Sequence, residues 1–140
     1  MLAAGCPPVD NPYRPYPEPD YAQFSARVQP IMRDTCAFLG CHGTYDRPLT
    51  LYAVDNLRGE SSLKGAELDP DRMSEEELLW NYDALRMRLI DENSAEQSAL
   101  LLKCLDPAEG GIYHGDELVI YEDRDDPDYQ VLRDWIASGM

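Results

Sequence analysis

The chain has 140 residues, with 12 Lys and Arg against 27 Asp and Glu, which gives a formal net charge of −15. Such an acidic domain repels phosphate backbones and anionic lipid headgroups, because binding to either depends on Lys and Arg displacing counterions. The composition therefore argues against nucleic-acid binding and against purely electrostatic membrane binding. The apolar fraction of 44% is ordinary for one globular domain. No apolar run approaches the ~18 residues of a membrane span.

The amino terminus resembles the end of a bacterial lipoprotein signal. Residues 1–6 read Met-Leu-Ala-Ala-Gly-Cys, with small residues ahead of a cysteine. We expect residues 1–5 to be the remainder of a signal peptide and Cys6 to be lipidated, although an accidental Ala-Ala-Gly-Cys remains the alternative. Residues 7–19 hold six of the eleven prolines, so residues 6–19 are predicted to be an extended tether. At ~3.1 Å per residue it would span about 40 Å.

The folded domain, residues 20–140, is predicted to be mainly α. Between Tyr21 and Thr35, apolar residues at helical spacing indicate a helix that kinks at Pro30 or begins there. Ser74 and Glu77 form a capping box, which predicts a second helix. Its expected apolar stripe consists of Leu78, Tyr82, Leu85 and Leu89.

Two further helices and two possible strands complete the prediction. A second box, residues 94–97, predicts a short helix through Leu100, Leu101 and Cys104. Asp126 and Pro127 are typical of a helix start, and Gly139 of a stop. The buried stripe of this last helix is predicted to be Tyr129, Leu132, Trp135 and Ile136. Residues 49–52 and 118–121 are the only candidate strands, so we expect a small domain of about four short helices with long loops.

The segment from Cys36 to Gly43 carries most of the functional information. It reads Cys-Ala-Phe-Leu-Gly-Cys-His-Gly, and it pairs two thiols with an adjacent imidazole. That combination attaches haem through two thioethers and ligates its iron, although the common form has two residues between the cysteines rather than four. A Cys36–Cys41 disulfide is one alternative. A zinc site using Cys36, Cys41 and His42, with Cys104 or His114, is another.

The chain resembles planctomycete-type cytochrome c domains, which also use the widened cysteine spacing. The shared segments cover nearly everything after the tether: Phe24 to Ile31, Cys36 to Gly43, Ser98 to Lys103, His114-Gly115, and Asp126 to Gly139. The resemblance implies one covalently bound haem c in a small helical domain that transfers electrons. One departure concerns the loop after His114, where members often carry a run of glycines. Here Gly115 is followed by Asp116 and Glu117, which puts the local backbone path in question.

With His42 as the proximal ligand, the iron needs a partner on its other face. His114 matches the second His of the family and stands among glycines, so it is the favoured distal ligand. An exposed loop histidine is the alternative for His114, and Met87 is the alternative ligand. Met32, Met73 and Met140 are less attractive. Two imidazoles would give a lower reduction potential than an imidazole and a thioether.

The remaining features concern partners and location. Cys104 is predicted to be a buried, unpaired thiol. Residues 116–128 hold seven carboxylates and one basic residue, a solvated face or a docking surface for a basic redox partner. We therefore expect a monohaem c-type cytochrome in the periplasm or at the cell surface, lipid-anchored to a bacterial membrane, and not an enzyme. The alternative is a haem-free exported interaction module with a Cys36–Cys41 disulfide. A haem enzyme with an open distal side ranks last.

Overall fold

The computed structural model describes residues 16–59, 69–91, 93–115 and 117–140. Cys6 and residues 7–15 lie outside them, so the predicted lipidation and most of the predicted tether fall outside the described residues. Residues 16–19 of that tether are described, and there Pro19 is buried and accepts from the Tyr82 hydroxyl. The described residues form four helices and no named strand, which confirms a small, mainly α domain. None of these helices has the length and apolar character needed to cross a membrane.

The first helix, α1, is built from three consecutive segments: Tyr21–Gln23, Phe24–Val28 and Gln29–Thr35. The middle segment is a π-helix, in which the N–H of Gln29 donates to the carbonyl of Phe24. Pro30 has no N–H, and its ring crowds the carbonyl four residues earlier. A wider turn just ahead of Pro30 accommodates it, so the helix runs through this residue instead of beginning there.

The second helix, α2, is Glu75–Arg88, and both halves of its predicted capping box are present. Its inner face carries polar as well as apolar residues. Asn81 is fully buried and bonds in both directions with the backbone of Tyr52, while its amide also donates to Gln29. Glu77 is buried against Arg58, with an N–O distance of 2.9 Å, and accepts from the N–H of Gly59. These bonds attach residues 52–59 to α2.

The third helix, α3, is shorter than predicted. It covers only Ala99–Leu102, after a separate 3₁₀ turn at Ala95–Gln97. The predicted box at Ser94 is wrong, because the Ser94 hydroxyl donates to Glu96 and accepts no bond from the backbone N–H groups of the turn. Cys104 therefore lies in the turn after the helix rather than on it.

The fourth helix, α4, is Pro127–Ala137 and confirms the prediction closely. The Asp126 side chain accepts from the N–H groups of Asp128 and Tyr129, and all four residues of the predicted stripe are buried. Trp135 packs on Phe24 with ring centres 5.5 Å apart, and its indole N–H donates to Asp20. This aromatic contact joins the two ends of the chain.

The candidate strands do not form among the described residues. Leu105 and Tyr121 instead form an isolated parallel β-bridge. The N–H groups of Ile120 and Tyr121 both donate to the carbonyl of Cys104. This bridge holds the loop that contains His114 against the residues that follow α3.

Candidate functional site

The loop from Cys36 to Gly43 is held in shape by its own backbone. Cys36 caps α1, and its N–H donates to Met32. The N–H of Cys41 donates to the carbonyl of Phe38. The N–H of His42 donates to the carbonyl of Cys36 over 3.0 Å. The two extra residues between the cysteines are thus absorbed in a compact turn, and His42 is brought back beside Cys36.

Gly43 has a steric reason to be glycine. A Cβ at this position would lie 2.2 Å from the carbonyl oxygen of Ala37, because the loop folds onto its own start. The turn also leaves Phe38 and Leu39 exposed, by 46% and 64%. Two large apolar side chains in water are unusual beside a motif of this kind.

His42 is fixed by a backbone carbonyl. Its Nδ1 lies 3.1 Å from the carbonyl oxygen of Leu49, and its own carbonyl accepts from the N–H of Leu51. Since a carbonyl oxygen can only accept, Nδ1 carries the proton. The lone pair of the neutral ring is therefore on Nε2. This is the arrangement that metal-ligating histidines adopt.

His114 is the histidine whose surroundings are incomplete. Its Nδ1 is buried and has no hydrogen-bond partner. Burial lowers the pKa of His114, and the nearby His42 and Lys103 lower it further, while a hydrogen bond to the backbone of Lys103 acts in the opposite direction. A buried polar atom without a partner costs about 1–3 kcal/mol, so it points to a missing group.

The two imidazole rings lie close together with nearly parallel planes. Their ring centres lie 6.0 Å apart, and their planes differ by 13°. With a metal–nitrogen bond of about 2.1 Å and about 1.1 Å more to each ring centre, two imidazoles on opposite sides of one ion would be about 6.4 Å apart. The observed spacing is close to that value.

Both histidines line one cavity of about 310 Å³ together with Cys36 and Cys41. The structure thus brings together all four residues predicted for a haem site. Sequence reasoning missed other residues of the wall, and no local pattern singled them out: Thr35, Arg47, Leu118 and Ile120. The cavity is at the lower end of the range of about 300–1,000 Å³ for small-molecule sites.

Met87, the alternative distal ligand, lies elsewhere. It is 45% exposed and lines a different cavity with Tyr16 and Trp80. Met32 is fully buried in the core, and Met73 accepts from Gln29. Among the methionines considered, none lines the cavity that holds His42.

The two alternatives to haem attachment are not formed in the structure. Cys36 and Cys41 are free thiols, as is Cys104. Within the described part of the chain, no group of three or more His, Cys, Asp or Glu is arranged to hold a metal ion, so the zinc arrangement is not built. A haem iron would need only two ligands from the chain, so this finding does not bear on haem attachment.

Cys104 is buried, as its neighbours predict, but its surroundings are not only apolar. The thiol of Cys36 is among the groups that affect its pKa. The Cys36 thiol, and then burial, raise the pKa of Cys104, whereas the Cys104 thiol lowers the pKa of Cys36. Cys36 is therefore the thiol of this pair that ionises first.

The loop after His114 keeps a backbone typical of glycine. Glu117 has a φ of 59°, in the left-handed region that residues with a Cβ rarely adopt. This residue falls where the resembled family often has glycines. Gly111 is needed for a different reason, since a Cβ there would lie 1.9 Å from the carbonyl oxygen of Leu105.

The residues present fit a covalently attached haem on three observations. Two thiols and two imidazoles line one cavity, the imidazoles are spaced for a single metal ion, and a buried nitrogen of His114 lacks a partner. Exposed apolar side chains lie on both loops of the cavity wall: Phe38, Leu39, Ile112, Tyr113, Leu118 and Val119. Such a concentration indicates a missing apolar ligand or partner.

Comparisons with known proteins provide no family. No protein-family model matches the chain, and neither a curated protein nor a solved structure is significantly similar to it. The resemblance to cytochrome c domains therefore depends on the motifs quoted above.

Proposed function

We propose that this protein is a monohaem c-type cytochrome that carries single electrons between redox partners. The observation that supports this most strongly is the pair of neighbouring imidazoles, His42 and His114, in a cavity that both motif cysteines also line. The iron would supply the one-electron couple. The chain itself attaches, orients and shields the group.

Cys36 and Cys41 form the thioethers in this proposal. The closed turn between them brings both cysteines to the same cavity despite the wide spacing. Covalent attachment is suited to an exported protein, because a haem that is lost outside the cytoplasm cannot be replaced there.

His42 is the proximal ligand, with Nδ1–H held by Leu49 and Nε2 free to bind. His114 is the distal ligand, and its lowered pKa keeps the ring neutral and able to ligate near neutral pH. Two imidazoles favour a lower potential than an imidazole with a methionine. The proposed protein is thus a low-potential carrier.

Arg47 supplies positive charge at the same cavity. Haem carries two propionate groups, and a guanidinium is the side chain best matched to a carboxylate. We assign Arg47 to a propionate. The exposed apolar residues of the two loops would then pack on the macrocycle edge.

The partners of the proposed carrier are basic redox proteins. The net charge is −15, and Glu122, Asp123 and Asp125 are exposed in the segment that follows the cavity wall. Asp126 caps α4 and so is partly committed to structure. Docking through such a surface would weaken as salt increases. A lipid anchor at Cys6 would keep the carrier in the periplasm or at the cell surface.

The test is the mass and thiol count of the chain matured with an export signal and haem-attachment machinery. We expect a haem-sized mass addition that survives denaturation, and two fewer alkylatable thiols among Cys36, Cys41 and Cys104. Cys41→Ser should retain at most one thioether, whereas Cys104→Ser should carry the haem like the wild type. A matured protein with no added mass and three reactive thiols would refute the proposal.

A further inference from the structure

Residues 48–52 lie between the proposed haem ligand His42 and the helix α2. His42 meets this segment at two backbone groups. Its Nδ1 lies 3.1 Å from the carbonyl oxygen of Leu49, and its own carbonyl accepts from the N–H of Leu51 over 2.8 Å. In extended backbone, the carbonyl of one residue and the N–H of the residue two positions later lie on the same side of the chain. One side of the segment is therefore used by His42.

The other side of the segment is bound by side chains of α2. The indole N–H of Trp80 donates to the carbonyl of Thr50 over 3.1 Å. The guanidinium of Arg88 donates to the carbonyl of Pro48. These two carbonyls come directly before and directly after that of Leu49 in the chain. The carbonyl that binds the imidazole is thus held between two peptide units that are fixed to α2.

Trp80 and Arg88 differ from the other α2 residue that binds this segment. Asn81 is fully buried and bonds to both backbone groups of Tyr52, so its loss would disturb the core. Trp80 is 50% exposed, and Arg88 is also exposed. The Trp80 ring packs on Tyr52 with ring centres 5.8 Å apart, which directs its N–H. Removing a donor at this surface acts on the segment without opening the core.

We propose that Trp80 and Arg88 are positioning residues for the His42 imidazole. Their bonds fix the peptide units on either side of the Leu49 carbonyl, and this carbonyl keeps the proton of His42 on Nδ1. The lone pair of the ring stays on Nε2 as a result. Neither Trp80 nor Arg88 lines the cavity that holds His42, so both act through the segment between them.

The consequence for the iron rests on the proposed function. A hydrogen bond donated by Nδ1–H makes an imidazole a stronger donor to a metal, which favours the oxidised metal and lowers its reduction potential. Weakening the bond to Leu49 should therefore raise the potential. The position of the proton in the haem-free ring does not depend on haem, so the two effects can be measured separately.

The first arm of the experiment uses the full haem-free chain with ¹⁵N-labelled histidine, studied by NMR at about pH 8, where histidine is ordinarily neutral. The chain has two histidines, so His114→Ala assigns the signals of His42. We expect the Nδ1–H tautomer in the wild type. Trp80→Phe keeps a ring but loses the N–H, and it should give a mixture of both tautomers. Arg88→Met should shift in the same direction, whereas Leu79→Ala, at an exposed position of α2, should match the wild type.

The second arm measures the reduction potential of the haem-loaded chain. Trp80→Phe and Arg88→Met should both have a higher potential than the wild type, and Leu79→Ala an equal one. A shifted tautomer with an unchanged potential would overturn the effect on the iron.

Two results of the first arm would overturn the positioning role itself. One is a mixture of tautomers in the wild type, and the other is an unchanged His42 tautomer in Trp80→Phe and Arg88→Met. Circular dichroism checks that each variant folds, and if one does not, the other decides. A chain that never acquires haem would refute the cytochrome proposal, and the tautomers would then decide the positioning role alone.

Discussion

In the helical core, most buried polar side chains have hydrogen-bond partners, whereas at the cavity an unpartnered histidine nitrogen occurs together with a left-handed backbone and exposed apolar side chains. Gln29, Glu77 and Asn81 are all buried and all hydrogen-bonded. In the core, Tyr129 is the exception, because its hydroxyl has no partner. The cavity combines an unpaired Nδ1 of His114, a left-handed Glu117 and exposed apolar side chains. The core is built for stability, and the cavity carries features that cost stability in the free chain.

The largest expected effect is in the core. Trp135→Ala removes a fully buried ring that packs on Phe24, so we expect a loss of about 3–5 kcal/mol in the free energy of unfolding. Trp80→Ala is the matched control, because Trp80 is 50% exposed and should cost only about 1 kcal/mol. Urea unfolding of both variants measures the difference. If Trp135→Ala and Trp80→Ala lost the same free energy of unfolding, buried and exposed aromatic residues would contribute equally to stability, contrary to this account.

Glu77 gives the core a dependence on pH. Burial opposes ionisation of Glu77, but bonds from Arg58, Ser74 and Gly59 outweigh it and lower its pKa to about 2, from 4.5. The unfolded chain therefore binds the proton more readily, and stability from this group is complete above about pH 5 and is lost as the pH falls toward 2. Glu77→Gln should cost about 3 kcal/mol near neutral pH.

The measurement for Glu77 is urea unfolding between pH 2 and pH 7. The Glu77→Gln curve should be flatter than the wild-type curve below pH 5. Glu122→Gln, at an exposed position outside α2, serves as the control and should follow the wild type. A parallel decline of wild type and Glu77→Gln would contradict the assignment.

The core could be predicted from the sequence because its determinants are local. Ser74 with Glu77 and Asp126 with Pro127 are capping patterns, and the stripe from Tyr129 to Ile136 has helical spacing. The capping box predicted at Ser94 does not form, because the Ser94 hydroxyl bonds to the Glu96 carboxylate instead of to the backbone.

The site was predictable only in its motif. Cys36, Cys41 and His42 are adjacent in sequence, whereas the place of Arg47 in the cavity wall depends on how the loops pack. His114 was found by resemblance. Its unpaired nitrogen could not be predicted, because the burial of a side chain and its hydrogen-bond partners depend on tertiary packing.

Removing the unpaired polar atom of the cavity should change the free energy of unfolding in the opposite direction to removing the Trp135 ring. In the haem-free chain, His114→Leu removes the unpaired buried nitrogen, and we expect the free energy of unfolding to rise by about 1 kcal/mol. Tyr129→Phe should behave similarly, because it removes the other unpaired atom. Only His114→Leu should change the spectrum of haem-loaded protein. A marked loss of stability in haem-free His114→Leu would show that the hydrogen bond to the Lys103 backbone contributes more than the unpaired nitrogen costs.

The smallest effect is expected at Glu117. Glu117→Gly relieves a left-handed backbone, so we expect a gain of up to about 1 kcal/mol, set against the greater freedom of glycine in the unfolded chain. Glu122→Gly, at an exposed position nearby with no positive φ, should destabilise instead. Thermal unfolding of Glu117→Gly and Glu122→Gly measures whether each variant is more or less stable than the wild type. Equal losses of stability in the two variants would argue against strain at Glu117.

The central claim is that His42 and His114 hold one iron from opposite faces. The most direct measurement is the optical spectrum of ferric protein before and after His114→Ala. The account predicts a low-spin wild type, a shift to high spin in the variant, and a return to low spin when imidazole is added. A variant that stays low-spin without added imidazole would contradict it and place another ligand on the iron.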